Sequence, residues 1–145
     1  MFPSHDQVQI EGLEELRQRF TNMDAAFDNA VTDAIEDTVL EIRTEVITKI
    51  QQGPASGRIY RRGNITHQAS APGQPPMTDT GTLVRSVYFD LKPLTATVGS
   101  RLAYSHYLEF GTRRMAPRPV WMPAVKRSTA KLRQRIEANL QAVIR

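Results

Sequence analysis

Three sets of residues in this sequence bring functional groups together at spacings that could support chemistry. Asp79-Thr80-Gly81 is the tripeptide of aspartic proteases, in which two carboxylates share a proton to activate water. Such an aspartate follows an apolar strand, whereas Gln74-Pro75-Pro76-Met77-Thr78 precedes this one. The tripeptide therefore reads as a loop end where Asp79 or Thr80 caps a helical turn. His106 and Glu109 are three residues apart and could share a helix face as metal ligands, but a site needs a third or fourth ligand. The other histidines, His5 and His67, fall in the N-terminal tail and in a long loop, and there is no cysteine. The pair reads as a surface histidine beside a glutamate at an interface. No phosphate-binding glycine loop and no nucleophile in a recognisable setting occur. The expectation is a non-enzymatic protein without metal or cofactor.

The third set is the arginines. Arg58, Arg61 and Arg62 flank Tyr60, and Arg113, Arg114 and Arg118 follow Gly111. Guanidinium groups on loops beside an aromatic suit phosphate contact or bidentate pairing with carboxylates. Neither cluster matches a helix-turn-helix or zinc finger, so base reading is not expected, while a non-specific nucleic-acid-binding module stays an alternative.

The elements that must position these groups follow from periodicity. Glu11 to Phe20 reads as a short helix, and a second, long helix runs from Asp24 as N-cap to about Gln52, where Gly53-Pro54 stops it. Phe27, Ala30, Val31, Ala34, Ile35, Thr38, Ile42, Val46 and Ile50 form its stripe, and its length is on the order of 40 Å. Gly53 to Pro76 reads as an extended loop, of a length that in a compact domain marks a functional or a disordered segment. Ser86 to Gly99 reads as a hairpin in which Val87, Phe89 and Leu91 face the core. Arg101 to Phe110 is a short helix, and a terminal helix spans about Val120 to Ile144, with Pro123 tolerated in its first turn. Gly81 and Leu83 mark a turn, Gly111 ends the short helix with a positive φ, and Tyr104, Tyr107, Phe110 and Trp121 are expected in the core. The fold class is α+β in one domain of 145 residues: a long N-terminal helix, a small antiparallel sheet, a short central helix and a long C-terminal helix.

The net charge of +4 conceals an asymmetry. Residues 1–50 carry eleven acids and four bases, a net −7, whereas residues 51–145 carry four acids and fifteen bases, a net +11. Such poles suit contact with nucleic acid or docking of one subunit's acidic half on a neighbour's basic half. The candidate contact residues are the arginines above with Tyr60, and Asp33, Glu36, Asp37 and Glu41. No apolar run is long enough to cross a bilayer, and MFPSHDQVQIEG lacks the basic start and apolar block of a secretion signal. The absence of cysteine suits a reducing compartment.

Three segments together resemble one family: Gly57 to Val87 (GRIYRRGNITHQASAPGQPPMTDTGTLVRSV), Val98 to Thr112 (VGSRLAYSHYLEFGT) and Ala116 to Val125 (APRPVWMPAV). A proline-rich approach leads to a threonine-glycine-x-leucine turn, then an aromatic motif ending Glu109-Phe110-Gly111-Thr112, then a proline loop before the last helix. This is similar to the gene-product-ten-like morphogenesis family of long-tailed phages, the neck or tail-completion proteins at the head–tail junction. The resemblance implies a structural subunit of a homo-oligomeric ring, sixfold first and twelvefold as the alternative. Such a ring joins the capsid connector to the tail and lets DNA pass. Neighbouring connector or head-completion and tail proteins would be its partners, with non-specific contact to packaged DNA and none to membrane. The location implied is the virion, and the host cytoplasm during assembly. A tail-terminator or other connector ring protein is the alternative of the same class.

Overall fold

A computed structural model describes residues 13–145. The chain is α+β, in the order α1 (Leu13–Gln52), β1 (Ile59–Arg62), β2 (Ile65–Gln68), α2 (Thr82–Arg85), β3 (Val87–Lys92), β4 (Thr95–Ser100), α3 (Tyr104–Phe110) and α4 (Trp121–Ile144). The two helices expected before Gly53 are one. No glycine or proline interrupts residues 20–24, Thr21 turns its hydroxyl onto the Arg17 carbonyl at 3.0 Å, and Asp24 lies mid-helix rather than at a cap. Forty residues give α1 a length of about 60 Å. Glu11 and Gly12 of the expected short helix lie outside the described residues.

Helix α4 lies antiparallel against α1. The register is read from side chains that cross between them: Arg127 pairs with Glu45, Lys131 and Arg135 with Glu41, and the Asn139 amide donates to the Ala30 carbonyl at 3.0 Å. Ala30, Ala34, Thr38, Ile42, Val46 and Ile50 are buried at four-residue spacing along α1. The strict spacing of four drifts around a 3.6-residue helix, so the buried stripe winds about α1 from the α4 side towards the sheet. Its last three residues join Leu83, Val87, Val120 and Ala124 in the main core. On α4 the fully buried positions are Ala124 and Ser128, both small, which lets the two helices approach closely. Ile144, at the end of α4, is exposed.

The sheet is split into two hairpins. β3 and β4 form the hairpin expected over Ser86 to Gly99, in the register Val87↔Ser100 to Lys92↔Thr95. Phe89, assigned to the core face, is nonetheless exposed, because α1 covers only part of a two-stranded sheet. Pro93-Leu94 closes the turn with Leu94 at φ 59°, a left-handed conformation that costs a leucine about 1–2 kcal/mol. The second hairpin occupies the segment 53–76 that the sequence marked as loop, pairing Ile59↔Gln68 to Arg62↔Ile65. Gly63, at φ 61°, takes the first central position of its two-residue turn, the place where a II′ hairpin needs glycine. Both strands are exposed almost throughout, so no apolar alternation announced them.

Two predictions follow from the α1–α4 seam. The Ser128 hydroxyl is wholly buried with no hydrogen-bond partner among the described residues, and an unpaired buried hydroxyl costs about 1–3 kcal/mol. Ser128→Ala should therefore raise unfolding free energy by about 1 kcal/mol in denaturant titrations; a loss of that size would contradict it. Hydrogen bonds from Lys131 and then Arg135 hold the Glu41 carboxyl below its ordinary value of 4.5. A carboxylate depressed in the folded state lends stability above its unfolded pKa, and that contribution is lost as pH falls through the folded value. Glu41→Gln should flatten stability against pH below about 4.5 relative to wild type.

Candidate functional site: an outward aromatic and arginine surface

The surface begins with a buried carboxylate. A helix starts with amides that lack intrahelical acceptors. At α4 these are Val120, Trp121 and Met122, since Pro123 has no amide to satisfy. Glu109 accepts all three: Val120 and Trp121 donate to its Oε2 at 2.8 and 3.0 Å, and Met122 donates to Oε1 at 2.7 Å. The residue is 6 % exposed. Its negative charge also sits where the helix dipole favours an anion. One turn earlier on α3, the Ser105 hydroxyl accepts from the Trp121 indole at 3.1 Å. Leu102 and Leu108 pack on the core from the same side.

With Ser105 and Glu109 turned inward, the other face of α3 must look out. Tyr104, Tyr107 and Phe110 are 43, 53 and 62 % exposed, which corrects their assignment to the core. The His106 ring lies 4.8 Å from that of Phe110, centroid to centroid, and widens the aromatic patch. Trp121, assigned with them, is partly buried against the core, and Leu83 is buried. Glu109, read as interfacial, is a cap within its own chain.

Gly111 ends α3 at φ 76°, and a Cβ there would meet the Met115 carbonyl at 2.8 Å. The backbone then closes a tight turn in which Thr112 and Met115 exchange hydrogen bonds, placing Arg113 and Arg114 at its tip, exposed. Arg118 is half-buried and bonded within its own chain. Its amide donates to the Leu108 carbonyl at 2.6 Å, and its guanidinium donates to the Ser70 carbonyl through Nε and Nη2 at 3.3 and 3.2 Å.

Those bonds tie the α3 loop to the base of the β1–β2 hairpin. There Tyr60, Arg62, Asp79, Tyr104 and Arg118 line a cleft of about 520 Å³. Arg62 pairs with Asp79 at 2.7 Å and Arg58 lies over the Tyr60 ring at 5.5 Å. Asp79 is therefore an ion-pair partner rather than a cap, and Thr78 instead accepts from the Gly81 amide at 3.1 Å. Gly81 itself precedes α2 at φ 75°, as a turn glycine should. Among the described residues, Arg61, Arg113 and Arg114 have no carboxylate in ion-pair range.

The charge poles are partly cancelled inside the chain. Glu41, named as a contact with neighbours, and Glu45 are taken by α4 cations, whereas Asp33, Glu36 and Asp37 lie upstream on a groove of α1 and α4. No group of three or more metal-ligating side chains occurs among the described residues. No described helix is long and apolar enough to cross a membrane.

Replacing Glu109 tests the cap. Glu109→Ala strands three buried or half-buried amides and should cost roughly 2–4 kcal/mol. Glu109→Gln keeps one acceptor oxygen and should cost less; equal melting temperatures for wild type and the alanine variant would refute the assignment. Comparison with protein-family models, with curated proteins and with solved structures finds no match for this chain.

Proposed function

We propose that the chain is a structural subunit of a phage neck, one copy in a ring at the head–tail junction that joins connector to tail and passes DNA. The observation that carries the reading is the exposed aromatic face of α3. Three large rings within seven residues, rimmed by arginines, make a surface of the kind that meets another protein. Two of the three segments that resemble the neck family build this surface and the loop behind it. Ring formation needs different patches of one subunit to meet, and acids remaining on the upstream half of α1 complement the arginines at the opposite end.

The test is location. Mass spectrometry and electron microscopy of purified particles should find the chain at the neck, and its absence from the particle would end the proposal. Position within the neck separates it from a tail terminator. Tyr107→Ala/Phe110→Ala should lower unfolding free energy by only about 1–3 kcal/mol and leave the chain folded, because rings already about half exposed forfeit only part of a full side chain's burial. The same variant should lower incorporation into particles at least about tenfold, an effect of the lost contact alone. Normal incorporation would remove the aromatic face from the argument.

A further inference from the structure

Among the described residues, the β1–β2 hairpin has an outer face with nothing packed against it. Directly paired residues of an antiparallel ladder share a face, so Tyr60, Arg62, His67 and Ile65 form one side, where Tyr60 and Arg62 line the cleft, Arg62 and His67 face Asp79, and Ile65 stays exposed near the turn. Ile59, Arg61, Thr66 and Gln68 form the other, and all four are exposed, Ile59 at 60 %. Two strands alone are marginally stable in water. An unpartnered side bearing an isoleucine and an unpaired arginine is a surface suited to a partner.

The molecule also carries a groove that matches it. Between α1 and the end of α4 lies a depression of about 720 Å³ with Ala26, Ala30, Ala142 and Val143 among its lining and Asp33 and Asp37 at its edge. Both aspartates are exposed, and no ion pair in the described residues uses them. No residue of the hairpin lines the groove of its own chain. The Thr78 amide donates to the Ile50 carbonyl, which ties the segment after the hairpin to the far end of α1, and the Arg118 guanidinium on the Ser70 carbonyl holds the hairpin's base. The helix runs roughly 22 Å from Asp37 to Gln52, while a four-residue strand reaches only about 13 Å.

We propose that the outer face of the β1–β2 hairpin of one copy seats in the α1–α4 groove of the next copy, with Ile59 on the alanine floor and Arg61 against Asp33 and Asp37. The partner is a second copy of this chain, chosen by opposite charge on two exposed surfaces at opposite ends of one molecule. The contact is head-to-tail, so every copy offers one hairpin and one groove. The inference rests on the ring reading above and specifies which surfaces make the ring.

Sedimentation equilibrium of the purified chain, taken to millimolar protein, tests it through charge exchange. Wild type should associate, more weakly as salt rises. Arg61→Glu alone, and Asp33→Lys/Asp37→Lys alone, should each weaken association at least about 100-fold by setting like charges together. A chain carrying all three substitutions should return to within about tenfold of wild type, because the reversed hairpin again faces a groove of opposite sign. A wild-type chain that stays monomeric, single-surface variants that associate normally, or a triple variant as weak as the others each overturns the inference. So does loss of DNA binding by Arg61→Glu with association unchanged. Normal incorporation of the single-surface variants into particles overturns this contact while leaving the neck reading standing. Charge rescue in a chain absent from particles does the reverse.

Discussion

One carboxylate determines which way the centre of this molecule faces. Helix α4 begins at the edge of the core, where water cannot freely satisfy its first amides, and the sequence offers no serine, threonine, asparagine or aspartate at its N-cap, which is Val120. Glu109 supplies the acceptors from eleven to thirteen residues upstream. To do so α3 must turn its Ser105–Glu109 side inward, and a seven-residue helix has room for only one inward side. The exposure of Tyr104, Tyr107 and Phe110 is the geometric consequence of capping α4.

The second constraint is the α1–α4 seam, where small side chains and ion pairs divide the labour. Ala124 and Ser128 bring the backbones close, while Arg127, Lys131 and Arg135 reach across to Glu45 and Glu41 at the rim. Exposed pairs of this kind contribute little to stability singly. Their larger effect is on register and on charge: they remove two acids from the negative half of the chain and three bases from the positive half. What remains for other molecules includes acids upstream on α1 and arginines on the hairpin and the Thr112–Met115 turn.

Much of this was readable in the residues, and the failures have physical causes. The period of α1, the stop at Gly53-Pro54, the β3–β4 hairpin and the proline-tolerant start of α4 all follow from local rules. The orientation of α3 does not, because burial preference alone sends aromatics inward and a glutamate outward. The deciding term was a set of amides elsewhere in the chain. A signal did exist: a helix whose start, Val120-Trp121-Met122-Pro123, has no capping side chain must borrow an acceptor, and Glu109 is the nearest acid before it. The β1–β2 hairpin escaped notice for the opposite reason. With both faces exposed it shows no alternation, and Gly63-Asn64 is the single local cue, a turn whose glycine comes first.

The arginine-bearing segments are held by backbone bonds together with two of their own guanidinium groups, Arg62 on Asp79 and Arg118 on Ser70. Arg118 spends its guanidinium on the Ser70 carbonyl, Gly73 donates its amide to the Pro117 carbonyl at 2.9 Å, and the Thr112–Met115 bridge fixes the turn between them. Gly57 passes so near Ser70 that a Cβ there would stand 2.3 Å from its carbonyl oxygen. These contacts join the base of the hairpin, the arginine turn and the aromatic side of α3 into one connected surface. A partner that engages one part meets the others already in position, and ordering costs that separate loops would each incur are largely met by the fold. Surfaces fixed in this way favour a geometrically defined contact over an adaptable one, which is the property that repeated assembly of identical copies demands.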